Sequence, residues 1–169
     1  MDWNTIVNEN RRQVWRTSYR LLGNDADAAD CFQETFISAL KVAQRQVVRN
    51  WPAMLHCLAT TRALDRLRQR MRQKGRFETI PEWSAVNSNQ PEPAQYAQAA
   101  ELSERLRQAL TKLPQKQSQV FCLRFLEDLS YRQIAGQLDM KTDAVGVLLQ
   151  RARGRLRDLL AIELAPNES

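Results

Sequence analysis

Cationic side chains crowd into a short stretch of the first half of the chain. They are Arg62, Arg66, Arg68, Arg70, Arg72, Lys74 and Arg76. On a helix, Leu64, Leu67 and Met71 form a narrow apolar stripe, so the cations occupy most of the remaining circumference. Guanidinium groups suit phosphate contact, because each neutralised phosphate releases counterions. With only Asp65 opposing them, these cations predict a nucleic-acid-binding helix, and the alternative is a solvated surface helix.

A second informative pattern lies near the C-terminus. Ser130 to Gln133 has the Ser-x-x-Gln form of a capping box and predicts the start of a short helix. Residues 139–141 form a tight connection, and a second helix follows from about Thr142. Its predicted buried positions are Val145, Leu149, Ala152 and Leu156. The pattern is typical of a helix-turn-helix, whose second helix enters the major groove, and the alternative is an ordinary helical hairpin.

Residue types needed for other chemistry are scarce. His56 is the single histidine, and Cys31, Cys57 and Cys122 have no short spacing, so a zinc site or a disulfide framework is not expected. His56 and Cys57 are adjacent and point about 100° apart on a helix, so we interpret that pair as incidental. There is no Gly-rich phosphate loop and no paired carboxylate in an apolar setting. We therefore predict no enzyme, no metal and no cofactor.

Composition agrees with a polyanionic partner. The 169 residues are 43% apolar, enough for a core, and 25 basic against 19 acidic side chains give a net charge of +6. The longest apolar run, residues 144–149, is too short for a membrane span. No secretory signal is visible at the N-terminus. These features favour a cytoplasmic protein without membrane contact.

The chain is predicted to be all-α, with two small helical domains and a flexible linker. Residues 1–75 carry the whole net charge of +6, whereas residues 80–93 contain three prolines with Asn, Ser and Gln. We predict domains over residues 1–76 and 100–169, joined by a linker over residues 77–99. No alternating β-branched run or hairpin signal is present.

Glycine, proline and capping residues also predict where the helices of the first half begin and end. A first helix ends at Gly23, and Asn24 or Asp25 caps a second. Pro52 opens a third helix that runs to Gly75, since its missing N–H is harmless in a first turn. The expected apolar positions of the second helix are Ala29, Phe32, Phe36, Ala39 and Leu40.

Two blocks of sequence resemble a known family. Residues 19–36, continued by residues 58–59 and 63–68, look like the second conserved region of bacterial sigma factors. Leu113-Pro114, Val120-Phe121, residues 129–135 and residues 151–157 resemble the fourth region. The match is closest to the small extracytoplasmic-function class. Two blocks in family order, separated by a linker, are stronger support than a lone helix-turn-helix.

The resemblance implies an alternative sigma factor that binds core RNA polymerase and directs promoter recognition, duplex opening and transcription initiation. The residues implied in docking on the β′ clamp coiled coil are Asp27, Asp30, Gln33 and Glu34. Those implied in −10 recognition and strand opening are Trp51, Arg62, Arg66, Arg68, Arg70 and Arg72, and residues 44–51 would capture an unstacked base. Those implied in −35 recognition are Arg132, Lys141, Thr142, Gln150, Arg151 and Arg153. The implied partners are core polymerase, including its β flap, promoter DNA and an anti-sigma factor.

Several positions depart from the family pattern. Trp51 stands where phenylalanine is usual, Met54 where tryptophan is usual, and Thr60-Thr61 where Arg-Asn is common. The recognition helix has Gly146-Val147-Leu148 at usually polar or basic positions. That helix either reads DNA through its remaining polar residues and thymine methyl contacts, or binds a protein instead, or gives only nonspecific phosphate contact.

Two other classes of function stay open at this point. One is a helix-turn-helix regulator that binds duplex DNA without being a sigma subunit. The other is a helical protein-interaction module, which the altered recognition helix favours.

Overall fold

The structure, a computed structural model, describes residues 2–76 and 94–161, and these form seven helices and no strand. The helices are α1 (Trp3–Leu22), α2 (Asp25–Arg45), α3 (Trp51–Arg76), α4 (Ala94–Lys112), α5 (Gln115–Phe125), α6 (Tyr131–Leu138) and α7 (Thr142–Ala161). The all-α prediction is confirmed. Most of the predicted linker, residues 77–93, lies outside the described residues, and α4 begins at Ala94, within the range predicted as linker.

The ends of α1 and α2 follow from local side-chain chemistry. Gly23 ends α1 in the left-handed conformation, with φ 78°, and its N–H donates to the carbonyl of Tyr19 at 2.7 Å. Asn24 then caps α2, because its side-chain oxygen accepts from the N–H of Asp27 at 2.9 Å. The predicted boundary and its cap are both confirmed.

The helix-turn-helix also forms as predicted. Ser130 and Gln133 make both bonds of the capping box, at 2.9 and 3.1 Å. Asp139 ends α6 with φ 55°, and α7 begins at Thr142. The predicted buried positions of α7 are all buried; they are Val145, Leu149, Ala152 and Leu156.

The first half is a three-helix unit in which α1, α2 and α3 contact one another. Val14, Phe36, Leu55 and Ala59 are buried in one apolar cluster at its centre. The expectation that Leu40 belongs to the buried face of α2 is wrong, since its side chain is 41% exposed. Ala39, which was also expected on that face, is buried, and Leu40 lies about 100° further round the helix.

The two halves also pack against each other. One apolar cluster joins Leu21 and Leu64 of the first half to Leu110 and Leu156 of the second. Another places Ala53 of α3 among buried residues of α5, α6 and α7. Helix α3 is therefore covered on two sides, by its own three-helix unit and by the second half.

Candidate nucleic-acid interface

The cationic helix α3 and the acidic end of α2 are paired through Arg66. Its guanidinium lies 2.5 Å from Asp30, 3.5 Å from Asp27 and 3.7 Å from Glu34. Three of the four predicted docking residues thus surround one of the predicted DNA-binding arginines. The pairs are partly exposed, so solvent screens them, and either set of charges remains open to an external partner.

Arg70 likewise links α3 to neighbouring helices, close to the end of α1. It lies 2.5 Å from Asp27 and donates to the carbonyl of Leu22 at 3.0 Å. Burial pushes the pKa of Asp27 upward, but the hydrogen bonds from Asn24 and Arg70 and the charges of Arg70 and Arg66 outweigh it. The pKa of Asp27 is consequently lowered, and its carboxylate stays ionised at neutral pH.

Arg68 lies on a different side of α3 and contacts the second half of the chain. Its guanidinium donates to the hydroxyl of Ser118 at 2.6 Å, and its side chain is only 18% exposed. The expectation that the cations fill an open circumference is therefore wrong for Arg66, Arg68 and Arg70, because α2 and α5 pack beside them. Arg62, which is exposed, donates to Ser38 at 2.9 Å.

Arg72 differs from its neighbours on α3. Its side chain is exposed and has no ion pair within residues 2–74 or 94–161. An exposed cation of this kind can meet a phosphate without first breaking an internal bond.

An aromatic pocket opens where α2, the following loop and α3 meet. Its volume is about 570 Å³, and its walls include Trp3, Ile6, Val48 and Trp51. The rings of Trp3 and Trp51 meet edge to face, with centroids 5.8 Å apart. Val47 stands at the pocket with 85% of its surface exposed. An open apolar pocket with an aromatic wall is suited to receive a flat ring such as an unpaired base.

The loop before α3 is held by its own cap. Asn50 accepts from the N–H of Ala53 at 3.0 Å through its side chain and from Met54 at 3.1 Å through its carbonyl. Met54 is 7% exposed and packs in the core. The methionine that replaces the usual tryptophan therefore does not line the pocket wall.

Trp3 was missed by sequence reasoning, and so was Ile6. Both lie on α1, far from the loop in sequence, and nothing in their spacing indicates that α1 closes the pocket. An aromatic residue at the start of an amphipathic helix was the only available signal.

The predicted docking face of α2 borders a groove. Gln33 is exposed and lines this groove with Phe32 and Trp15, while Arg11 and Arg12 flank it from α1. Trp15 packs against Phe32 with ring centroids 6.2 Å apart. Exposed acids next to an aromatic groove suit a partner helix that carries both basic and apolar side chains.

The predicted −35 residues are all exposed on the helix-turn-helix, but they do not share one face. Thr142 and Arg151 are nine positions apart on α7 and so point to opposite sides, about 180° apart. Arg153 leans over the ring of Phe125, with 5.7 Å between its guanidinium carbon and the ring centroid. Gln150 lies between these directions and faces outward.

The altered positions of α7 have distinct environments. Val147 is 46% exposed on the outward side, whereas Leu148 is half-buried. A Cβ placed on Gly146 would meet the ring of Tyr131 at 3.6 Å, an ordinary contact. There is therefore room for a side chain at this position, and lack of space does not explain the glycine.

Across the described ranges, no helix is long and apolar enough to cross a membrane. Within the same ranges, no group of three or more His, Cys, Asp and Glu side chains is arranged to hold a metal ion.

Comparison with known families covers both halves of the chain. Residues 6–73 match Sigma-70 region 2, and residues 103–156 match Sigma-70, region 4. The first block contains most of α1, all of α2 and most of α3, and so the pocket apart from Trp3, and the second block contains the helix-turn-helix.

Individual relatives agree. The chain is 35% identical to the ECF RNA polymerase sigma factor SigE of Mycolicibacterium smegmatis over 94% of its own length and 62% of that relative. It is 27% identical to the ECF RNA polymerase sigma factor SigW of Bacillus subtilis, covering 92% of this chain and 87% of the relative. The RNA polymerase sigma factor YlaC of Bacillus subtilis is 30% identical, with 77% of this chain and 75% of the relative covered.

A solved structure shows the same fold. It is the sigma factor RpoE in complex with the anti-sigma factor NepR from Bartonella quintana, with 20% identity, 96% of this chain and 99% of that chain covered, and a TM-score of 0.56. The helical arrangement and the two matched regions define a sigma factor. The chain belongs to the sigma-70 family, in its extracytoplasmic-function class.

Proposed function

We propose that this chain is an alternative sigma factor that binds core RNA polymerase, recognises a promoter and helps to open it. The observation that carries the proposal is the pocket between Trp3 and Trp51 at the start of a cationic helix, on a chain that also holds a helix-turn-helix. One feature suits an unpaired base and the other suits duplex DNA. Their combination favours a promoter-opening subunit over a regulator of duplex DNA alone.

In this proposal, core polymerase docks on α2. Asp30 and Glu34 are 57% and 50% exposed in their side chains, so they can exchange part of the Arg66 pairing for a basic partner such as the β′ clamp coiled coil. Gln33 and the neighbouring aromatic groove would add apolar contact. The β flap is the expected partner of the second half.

The −10 element is handled by the pocket and by α3. Trp51 would stack on a flipped base, while Arg72 and Arg62, which lie exposed on α3, would contact the backbone of the separated strand. Arg66, Arg68 and Arg70 act there only if their internal bonds are exchanged for phosphate contacts.

The −35 element is read by the outward side of α7 and by the start of α6. Lys141, Thr142 and Gln150 supply polar contacts, with Arg132 on the backbone. Val147 is exposed about 60° round the helix from Gln150, and an apolar side chain at that position favours a thymine methyl group. The exposed polar residues of this surface, together with the exposed Val147, support −35 recognition despite the altered sequence.

The proposal gives the chain no catalytic role and places it in the cytoplasm, where polymerase and chromosome meet. An anti-sigma factor is an expected regulator.

Run-off transcription with purified core polymerase separates the possible functions. A sigma factor gives discrete transcripts from a genomic template that vanish when the chain is omitted. A duplex-binding regulator instead shifts DNA without polymerase and yields no new transcript. An interaction module does neither, and that result would overturn the proposal.

A further inference from the structure

Helix α1 has an outer face that is both aromatic and cationic. The α1 outer face consists of Arg12, Trp15, Arg16 and Tyr19, which are all exposed. Their spacing places them within about 100° of one another around the helix axis, on the side away from the buried Val14. Arg12 and Trp15 also line the groove beside α2, so this face begins where the groove ends.

The aromatic part of this face is a strip of three rings. Trp15 stacks on Tyr19, with ring centroids 6.3 Å apart and planes 26° from parallel, and it meets Phe32 of α2 edge to face. Trp15 and Tyr19 keep 37% and 45% of their surfaces exposed. Neighbouring exposed apolar side chains mark an interaction site more often than scattered ones do, because a partner that covers them removes apolar area from water.

The arginines of the α1 outer face differ from those of α3 in having no internal partner. Among the described residues, Arg12 and Arg16 make no ion pair, whereas Arg66 and Arg70 are each held by acids of α2. Helix α1 also has no acidic residue after Glu9. A partner can therefore pair with Arg12 and Arg16 without first breaking a bond inside the protein.

The charge of this face is opposite to that of the neighbouring docking surface on α2. Asp30 and Glu34 are exposed there and suit a basic partner segment. Arg12 and Arg16 would repel the same basic segment and attract an acidic one. Charge complementarity therefore requires a different occupant on the α1 outer face, and that occupant is acidic.

The spacing of the exposed side chains suits a helical occupant. The two arginines are four residues apart and so are the two rings, which makes two rows that each advance about 6 Å along the axis. A helix lying along α1 presents side chains at the same interval, so an apolar row can cover the rings while an acidic row meets the guanidiniums. Bases stack on free ring faces, whereas Trp15 and Tyr19 already cover one face of each other.

We propose that the α1 outer face is the docking site of an acidic amphipathic helix from a protein partner other than polymerase. Apolar side chains of that helix cover Trp15 and Tyr19, and carboxylates beside them pair with Arg12 and Arg16. The inference goes beyond the proposed sigma function and does not depend on it, since neither promoter DNA nor the acids of α2 take part.

The test measures binding of labelled peptides to the full chain by fluorescence polarisation, without polymerase. The probe is a synthetic peptide of about 20 residues, long enough to be helical, with a stripe of leucine bordered by glutamate. One reference peptide has lysine in place of glutamate, and the other is polyglutamate of equal length. We expect the acidic amphipathic peptide to bind about tenfold more tightly than either reference.

Two double variants with the same loss of charge locate the binding site. Arg12→Ala with Arg16→Ala should weaken binding of the acidic amphipathic peptide by about tenfold. Arg151→Ala with Arg155→Ala is the matched control, because these arginines are also exposed and four residues apart, but on α7. It should change the affinity by less than about twofold. Tyr19→Ala shortens the aromatic strip and should weaken binding by about fivefold.

Equal losses in the two double variants would overturn the proposal, because the peptide would then respond only to net charge. Polyglutamate that binds as tightly as the amphipathic peptide would also overturn it, since the rings would then contribute nothing. A fluorescent dT oligomer tests the nucleic-acid alternative. If Arg12→Ala with Arg16→Ala impairs binding of the oligomer but not of the peptide, the face belongs to nucleic acid and the proposal is wrong.

Thermal melts establish that each variant is folded. None of these readouts needs transcription, so failure of the run-off experiment with the wild-type chain would count against the sigma function alone.

Discussion

The guanidinium of Arg66 lies 2.5 Å from the carboxylate of Asp30, which joins the helix assigned to DNA with the helix assigned to polymerase. Asp27 and Glu34 complete an acidic surround of the same arginine. Docking of a basic partner on α2 would therefore weaken the ion pairs that Arg66 makes with these acids. The charges proposed for docking and those proposed for DNA contact are therefore coupled through this pair.

Loss of Arg66 should cost stability as well as function. The sequence alone predicts that Arg66→Ala and Arg70→Ala weaken promoter opening and leave polymerase binding nearly intact. Because Arg66 pairs with three acids of α2 in the structure, Arg66→Ala should reduce the free energy of unfolding by about 1 kcal/mol and alter docking too. Thermal unfolding and a polymerase-binding titration measure these effects. Arg72→Ala is the control for stability. An equal loss of unfolding free energy in the two variants would mean that the Arg66 ion pairs do not stabilise the fold.

Replacing Trp51 should impair strand opening. Trp51→Ala removes a wall of the aromatic pocket, and stacking of a base on an aromatic ring contributes about 1–3 kcal/mol, so opening should fall by about tenfold or more. Permanganate reactivity of unpaired promoter thymines measures it. Trp51→Phe keeps an aromatic ring and should recover most of the activity. If Trp51→Ala opens the promoter normally while remaining folded, the pocket is not the base site.

Glycine replacements should have opposite signs at two positions. Gly146→Ala should stabilise the protein by about 0.5–1 kcal/mol, because glycine is costly inside a helix and the new methyl group meets Tyr131 at an ordinary 3.6 Å. Gly23→Ala should destabilise it, since φ is 78° and the new group would lie 3.0 Å from the guanidinium of Arg107. Thermal melts of the two variants provide the comparison. Destabilisation by Gly146→Ala would contradict the described packing of α7.

Asp27 should make stability depend on pH in acid. Its pKa is lower in the folded protein than in the unfolded chain, so its ionised contacts contribute stability at neutral pH. That contribution decreases as the pH falls below the ordinary carboxyl pKa and is lost once it passes the lowered value. The difference in melting temperature between wild type and Asp27→Asn should therefore shrink from pH 7 to acid. A difference that is constant across this range would contradict the assignment.

Local features of the fold could be predicted because their causes are local. Gly23, Asn24 and the Ser130–Gln133 capping box each act within one helical turn, and the structure confirms each of them. The four buried positions of α7 follow from helical periodicity in the same way.

Features that depend on packing between distant segments could not be predicted. A helical pattern does not show that Arg66 turns toward α2 while Arg68, two residues later, meets Ser118 of α5. Likewise, Trp3 and Trp51 share a pocket only because α1 packs on the start of α3. His56 looked incidental because its partner, Glu127, is reached only through the contact between the two halves.

Footprinting of polymerase assembled with this chain, on a promoter found by run-off transcription, tests the central claim most directly. We predict two protected segments, at the −35 and −10 elements, with unpaired thymines in the second and no footprint from the chain alone at the same concentration. Protection confined to duplex DNA by the chain without polymerase, or a holoenzyme footprint that lacks the −35 segment and any unpaired thymine, would contradict the account.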